Sequence, residues 1–265
     1  MGNKNMKLEA LGAGSDWGGF LQHLGIASLN IGFGGESEGG QYHSIYDSYD
    51  HFTKFIDPGF QYGVALSKTT GRTVMRLANA DVLPFDFSSF YKTINEYSTE
   101  IKTLLDKTRT ETEDETSMLK EKLYDLAKDP KKVYAAPPAK EIVPYLNFSD
   151  LDNALAELKN ATEECKSLYA KGTQLPAGKQ VQLNSILYKA ERSLLQQNGL
   201  PRRSWYRHQI YAPGFYTGYG VKTIPGIREA IEQRFWKEAQ ENIVIVAKTI
   251  QGYTEQVKAA NTILK

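Results

Sequence analysis

The last part of the chain has the most regular spacing of apolar residues. Two interleaved sets recur there every seven residues: Trp236, Ile243, Ile250, Val257 and Leu264, with Ala239, Val246, Tyr253 and Ala260 between them. Such a seam, sustained over four heptads, predicts one long helix that buries its apolar side. Val244, Ile245 and Ala247 widen the stripe, so we expect a bundle helix with neighbours on more than one side.

Three further helices are predicted by apolar stripes of helical spacing. The stripes are Phe90, Ile94, Tyr97, Ile101 and Leu104; then Leu151, Ala154, Leu158, Ala161, Cys165 and Leu168; then Leu183, Leu187, Ala190 and Leu194. Gly199 and Pro201 are expected to end the third helix. With the C-terminal helix, these stripes predict a helical bundle over residues 85–265.

Two segments inside the bundle region have a different character. Residues 109–132 are dense in charges of both signs, and we expect them to form a solvated excursion from the bundle. Residues 134–144 contain three prolines, which predicts an extended connector.

The composition changes near Pro84, before which glycines and short apolar runs dominate. Residues 24–33 form a continuous apolar run, which predicts a buried strand in an α/β sheet. A helix is predicted to open at Pro58 and to run to about Asn79. Residues 1–84 thus read as part of an α/β layer that cannot bury both faces of its own sheet, and we expect further chain to complete it. The predicted fold class is α-rich α/β, a partial layer followed by a helical bundle.

Composition and charge narrow the function classes. Apolar residues make up 41% and charged residues 24% of the chain, as in ordinary globular proteins. With 32 basic and 31 acidic residues, the chain offers no electrostatic case for nucleic acid or an anionic membrane as partner. No apolar run reaches the roughly twenty residues that span a bilayer. The single cysteine, Cys165, lies in an apolar stripe, so we expect a buried and inert thiol.

The first candidate for chemistry is His43, which follows the glycine-rich residues 34–40. A neutral imidazole is a common zinc ligand, and surface loops often carry such ligands. Asp47, Asp50 and His51 follow, so a self-contained metal site is one interpretation. Its geometry is poor, because Asp50 and His51 would point away from the face of Asp47. A hydrogen-bonded structural histidine is the other interpretation.

The second candidate is the aromatic and glycine-rich stretch that spans residues 206–220. Glycine lets a ligand approach the backbone, and tyrosine adds a hydroxyl to an apolar wall, so ligand contact is one interpretation. A packed loop whose aromatic rings fill its own interior is the alternative. Arg202, Arg203 and Arg207 could bind a carboxylate or remain solvated. The sequence shows no nucleophilic triad, phosphate loop or cysteine-based metal site.

These stretches carry a resemblance to the glutamate carboxypeptidase II and transferrin receptor family. The similar motifs, in order, are residues 12–16 (GAGSD), 20–28 (FLQHLGIAS), 42–47 (YHSIYD), 55–58 (FIDP), 77–85 (LANADVLPF), 206–213 (YRHQIYAP) and 225–227 (PGI). The resemblance covers essentially the whole chain. It implies the end of a zinc-peptidase domain over residues 1–84 and a transferrin receptor-like helical dimerisation domain over residues 85–265.

The resemblance also implies roles for individual residues. The family are exopeptidases with two zinc ions, and His43 matches the last of their zinc ligands. Tyr42 matches a residue that lines the substrate pocket, and Gly14 with Ser15 matches a turn that contacts substrate. Tyr219 matches a tyrosine that helps to hold the terminal carboxylate of the substrate. By the same resemblance, we expect residues 200–225 to fold toward His43.

The departures from the family pattern affect both metal and substrate. The other zinc ligands and the general-base glutamate of the family lie upstream of the region that resembles this chain. Gly218 occupies the position at which the family has a lysine that recognises the glutamate of the substrate. Asn30 and Gly32 occupy the positions of two arginines that favour an acidic neighbouring residue. Glutamate selectivity is therefore not expected, and a broad aminopeptidase or carboxypeptidase preference is.

Three hypotheses follow for function. The first is the C-terminal portion of a homodimeric zinc exopeptidase, inactive alone, acting on peptide substrates in the parent enzyme. The second is a non-catalytic dimerisation or binding module of the transferrin receptor type, suggested by the heptad seam. The third is a free-standing enzyme that uses His43, Asp47 and His51. Relatives are secreted, periplasmic or membrane-anchored, and the sequence of this chain does not decide among these locations.

Overall fold

The computed structural model describes residues 9–34, 40–170 and 175–265. These residues form two compact units. The helical unit contains Asp86–Lys265 together with the described residues before Ser28, and the N-terminal unit is Ser28–Phe85. The assignment of residues 1–84 and 85–265 to two family domains stays a prediction.

The described chain is rich in helix. Its α-helices are α1 (Tyr49–His51), α2 (Gln61–Ala78), α3 (Phe87–Lys120), α4 (Leu123–Ala127), α5 (Ser149–Ala170), α6 (Ala177–Leu187), α7 (Pro225–Glu232) and α8 (Trp236–Leu264). Two π-helices, Gly18–His23 and Phe52–Ile56, and a 3-10 helix, Ala190–Leu194, complete the helical elements. Across the described ranges, no helix combines the length and apolar character needed to cross a membrane.

Helix α8 is the centre of the helical unit, and the predicted seam is its buried face. Every seam position is buried except Trp236, which is partly exposed. The stripe is widened by Ala247 and by Asn242 and Thr249, whereas Ile245 is 37% exposed. Helices α5, α6 and α7 and the 3-10 helix all pack on α8. The apolar side chains of the seam are therefore covered by other helices of the same chain, and they do not form an exposed surface for a second copy.

The second and third predicted stripes are also confirmed as buried positions. All six apolar residues predicted for α5 are buried. Leu183, Leu187, Ala190 and Leu194 are buried as well, but the predicted third helix divides into α6 and the 3-10 helix. The following turn uses Gly199 in a left-handed conformation (φ 66°), which glycine adopts without steric cost.

The segment of residues 109–132 is mostly exposed, as predicted, but its first half is not an excursion, because α3 continues as one helix to Lys120. Hydroxyls of Thr108, Thr112 and Thr116 donate to the backbone carbonyls four residues earlier. Arg234 donates to the hydroxyl of Thr112, and Lys140 pairs with Glu115 at 2.6 Å. The threonine bonds stay within α3, whereas the contacts of Arg234 and Lys140 connect this polar part of the helix to other segments without an apolar stripe. The connector is confirmed, since residues 133–148 form neither helix nor strand.

The predicted strand at residues 24–33 does not form. In the described ranges the only paired strands are β1 (Tyr211–Pro213) and β2 (Val221–Thr223), which are antiparallel. Leu29 and Phe33 are 58% and 59% exposed. A strand is stable only where a neighbour satisfies its backbone groups, and the described residues provide none here. The partial α/β layer therefore stays a prediction.

Helix α2 confirms the helix predicted after Pro58, although it begins at Gln61 rather than at the proline. The carboxylate of Asp57 accepts hydrogen bonds from the backbone N–H groups of Tyr62 and Gly63, at 3.3 and 2.8 Å, and so caps the helix. All 18 residues of α2 are described, and none is buried. Its exposed apolar residues include Tyr62, Val64, Val74, Met75 and Leu77. Among the described residues of the N-terminal unit, the Phe33 ring meets the ring of Tyr62, but no contact buries the apolar residues of this helix.

The position of α8 generates a first prediction. Ile250 is fully buried at the centre of the seam, so Ile250→Ala should lower the free energy of unfolding by about 2–5 kcal/mol. The matched control is Ile245→Ala on the same helix, which should cost less than about 1 kcal/mol because Ile245 is partly exposed. Urea unfolding followed by circular dichroism measures both. Equal losses would contradict the assignment of the seam to the core.

The buried thiol generates a second prediction. Burial raises the pKa of Cys165 from 9.0 to about 11, so the folded state holds the thiol proton more tightly than the unfolded state does. This contribution to stability is complete below about pH 9 and is lost as the pH rises to about 11. The stability difference between the natural chain and Cys165→Ala should therefore shrink over that range. Urea unfolding at pH 8, 9, 10 and 11 measures it, and a constant difference would contradict the buried neutral thiol.

Candidate functional site

Two of the predicted substrate residues, Gly14 and Tyr219, meet in the helical unit although they are far apart in sequence. The backbone N–H of Ala13 donates to the carbonyl oxygen of Tyr219 at 3.1 Å. Gly12 has no room for a side chain, because a Cβ atom there would overlap that same carbonyl. Gly14 has φ 101°, and a Cβ atom on it would meet the ring of Tyr219. Both glycines are thus required by the close approach of the 12–14 segment to Tyr219.

A buried glutamine holds the 12–14 segment in place. The side-chain amide of Gln22, on the π-helix Gly18–His23, donates to the carbonyls of Leu11 and Gly12 at 3.1 and 2.6 Å. The indole N–H of Trp17 donates to the carbonyl of Gly12 at 3.1 Å. Gln22 was not among the predicted site residues, since its place in the motif of residues 20–28 gives no sign that it is buried.

The loop that carries Tyr219 is closed on itself. Residues 214–220 connect β1 to β2, and the N–H of Gly214 donates to the carbonyl of Gly220 at 2.9 Å. The hydroxyl of Thr217 donates to the same carbonyl at 2.8 Å. Tyr216 and Tyr219 are 76% and 62% exposed. The alternative of a loop filled by its own aromatic rings is therefore wrong for these two tyrosines, which present their rings to the surface.

A buried ion pair anchors the base of this loop. Arg203 and Glu229 have side chains only 10% exposed, and a guanidinium nitrogen of Arg203 contacts the Glu229 carboxylate. Arg203 also donates to the carbonyl of Pro213, and the N–H of Phe215 donates to Glu229 at 2.6 Å. These two hydrogen bonds fix Pro213 and Phe215, the residues on either side of Gly214. Burial lowers the pKa of Arg203, and the adjacent carboxylate opposes that effect.

Arg202, Arg203 and Arg207 all contact groups of the same chain. Arg202 donates two hydrogen bonds to Glu238, at 2.7 and 2.9 Å, and its guanidinium lies 5.2 Å from the ring centre of Phe235. Arg207 donates through Nε to the carbonyl of Gln196 at 3.3 Å. These contacts and the Arg203–Glu229 pair hold structural elements together, which favours a packing role over carboxylate capture.

His208 is a second buried polar residue whose contacts the sequence did not reveal. Its Nε2 lies 2.9 Å from a carboxylate oxygen of Glu191, and its Nδ1 accepts from the N–H groups of Ile210 and Tyr211. Nδ1 is thus an acceptor, so Nε2 carries the proton and donates to Glu191. The imidazole stacks on Tyr211, with ring centres 4.6 Å apart. This arrangement fixes the start of β1.

Tyr42 and His43 lie in the N-terminal unit. Both are exposed, their rings stack with centres 3.8 Å apart, and His43 has a left-handed backbone (φ 61°). Among the described residues, no three His, Cys, Asp or Glu side chains are grouped so that they could hold a metal ion. The self-contained site of His43, Asp47 and His51 is therefore wrong within that part of the chain. The expected approach of residues 200–225 to His43 stays a prediction.

Comparison with known proteins places this geometry in a family context. Residues 146–258 match the family model of the transferrin receptor-like dimerisation domain. A probable glutamate carboxypeptidase of Arabidopsis thaliana is 30% identical over 91% of this chain and 30% of its own length. The aminopeptidase NAALADL1 of Mus musculus is 24% identical over 92% of this chain and 30% of its own length. An inactive zinc metalloprotease of Schizosaccharomyces pombe is 24% identical over 93% of this chain and 28% of its own length.

The chain spans about a third of the length of the curated relatives that it matches. The match to the dimerisation domain covers α5 to most of α8, which are the helices that build the core of the helical unit. The relatives named as peptidases match over nearly the whole chain. The chain therefore corresponds to a C-terminal region of the glutamate carboxypeptidase and transferrin receptor-like peptidases.

Proposed function

We propose that this chain is the C-terminal portion of a zinc-dependent exopeptidase and is inactive alone. The carboxypeptidase and aminopeptidase relatives, each of which extends well beyond the matched region, support this proposal. The uncovered apolar face of α2 supports it as well, because a helix with exposed Val74, Met75 and Leu77 fits burial against further protein.

His43 would supply one zinc ligand in this proposal. A catalytic zinc takes three protein ligands, so the described residues do not fit a complete zinc site. The exposed imidazole of His43, stacked on Tyr42, suits a ligand that joins others from elsewhere in the protein.

The observation that carries the substrate proposal is the close contact between the 12–14 segment and Tyr219. A glycine that leaves backbone accessible, with Ser15 beside it and an exposed tyrosine against it, suits contact with the terminal carboxylate of a peptide. Tyr42, in the N-terminal unit, would be a further substrate-contacting residue, as the family resemblance implies. With Gly218, Asn30 and Gly32 in place of cationic residues, we infer no preference for an acidic substrate side chain.

The helical unit would form the dimer interface. The matched dimerisation domain supports a homodimer. Because the seam of α8 is buried within the subunit, the interface would use other surfaces of the helical unit.

A non-catalytic binding module is the second candidate. It is favoured by the relative from Schizosaccharomyces pombe, which is named as inactive, and by the transferrin receptor-like domain. In this candidate the chain would act through association alone, and His43 would have no metal to bind.

Zinc content tests the first proposal. After dialysis, we expect well under one zinc per chain and no turnover of free or N-blocked dipeptides, because one imidazole binds zinc weakly. Calorimetry should detect weak zinc binding that His43→Ala abolishes and His51→Ala, the matched control, preserves. Stoichiometric zinc with turnover would contradict an incomplete site, and weak binding unaffected by His43→Ala would contradict the role of His43.

Sedimentation equilibrium tests the dimer. We expect a mass of twice 29.8 kDa at micromolar concentration. Ile250→Ala should leave the dissociation constant of the folded dimer almost unchanged, because its side chain lies inside the subunit. A monomer at every accessible concentration would contradict the proposed interface. Dissociation caused by Ile250→Ala in a folded chain would contradict an interface that excludes the seam.

A further inference from the structure

We propose that Gln22 is a positioning residue that holds the 12–14 segment against Tyr219. Its relevance to substrate rests on the proposed function, in which that segment and Tyr219 contact a terminal carboxylate. Gln22 is fully buried, so its contacts with the backbone are shielded from water. Its amide donates to the carbonyl of Gly12, in the segment, and to the carbonyl of Leu11, immediately before it.

Gln22 connects two distant parts of the helical unit. Its side chain binds the carbonyls of Leu11 and Gly12, while its own backbone carbonyl accepts from the N–H groups of Arg207 and His208, at 2.8 and 3.1 Å. His208 is in turn fixed by Glu191. Gln22 therefore connects the 12–14 segment to the residues that fix the start of β1. Because β1 leads into the loop of Tyr219, the same contacts also help to position that loop.

The orientation of the Gln22 amide is determined by its surroundings. Two carbonyl oxygens face Nε2, and the reversed amide would place an oxygen against both of them. The other amide atom, Oε1, is buried and has no hydrogen-bond partner among the described residues. An unpartnered buried acceptor destabilises a fold, and an apolar side chain of similar shape would avoid it. What the amide provides, and an apolar side chain does not, is a second hydrogen-bond donor to the Gly12 carbonyl beside Trp17.

That position controls the contact with Tyr219. Gly12 lies directly against the carbonyl of Tyr219, and the next residue, Ala13, donates to that carbonyl. When the Gln22 amide is absent, the indole of Trp17 is left as the one described side chain that donates to Gly12. We therefore expect the segment to separate from Tyr219 more often, with the fold retained.

The test compares Gln22→Met with Gln240→Met by amide hydrogen exchange and NMR on the whole chain. Gln240 is the matched control, because its amide also bridges distant backbone, to the carbonyl and N–H of Asn147 at 3.1 and 2.8 Å. We expect Gln22→Met to raise the exchange rate of the Ala13 N–H about tenfold and to shift the Trp17 indole resonance. Gln240→Met should change neither. Urea unfolding of both variants separates this local effect from a general loss of stability.

Gly12→Ala serves as the reference for a displaced segment, because its Cβ atom would overlap the Tyr219 carbonyl. If Ala13 stays protected in Gln22→Met but not in Gly12→Ala, the positioning role is wrong. If Gln240→Met raises the exchange of Ala13 as much as Gln22→Met does, the effect is general and the positioning role is again wrong.

Titration with N-acetylalanine, which carries the terminal carboxylate of a peptide, separates this proposal from the proposed function. Shifts at Gly14 and Tyr219 in the natural chain that weaken in Gln22→Met would support both. Faster Ala13 exchange in Gln22→Met, with no response of the natural chain to the probe, would support the positioning role and count against the substrate role. A probe response that is unchanged in Gln22→Met, with unchanged exchange, would overturn the positioning role alone.

Discussion

The burial of one side of α8 is the constraint on which the helical unit depends. The helix is 29 residues long, and its seam is covered by α5, α6, α7 and the 3-10 helix. Phe87 and Phe90 extend this cover from α3, since both rings pack against Tyr253. Because each of these elements buries apolar area mainly through α8, the helix organises the unit in which the candidate site is built.

The buried polar contacts have a different purpose. The Arg203–Glu229 pair and the His208–Glu191 pair are both buried. Burying a charged or polar group costs free energy unless the group is paired. Each pair also binds the backbone at one end of β1. Arg203 donates to the carbonyl of Pro213 at its end, and His208 accepts from the N–H of Ile210 just before its start. They thus specify where the chain between residues 208 and 215 runs, which apolar packing alone would leave less defined.

The sequence predicted the elements whose signal is periodic. The stripes of α5 and α8 identify buried residues correctly because apolar spacing in a helix directly reflects which face meets the core. The extension of α3 was missed because its contact with Arg234, a hydrogen bond to the Thr112 hydroxyl, leaves no apolar pattern in the sequence. The strand at residues 24–33 was predicted in error, since an apolar run does not show whether a partner strand exists.

The candidate site was only partly accessible from sequence. Family resemblance pointed to Gly14 and Tyr219, and the structure shows that they meet. Gln22 and Glu229 could not be found in this way, because burial of a polar side chain depends on contacts between segments distant in sequence.

The meeting of the 12–14 segment with Tyr219 has a consequence for how the protein is made. Synthesis proceeds from the N-terminus, so the 12–14 segment is made about 200 residues before Tyr219 and waits for that residue to emerge from the ribosome. Tyr219 in turn precedes α7 and α8, which complete the hydrophobic core beneath it. The surface that joins these two segments therefore depends on a contact between parts of the chain far apart in sequence, and a chain terminated before Tyr219 would not display it.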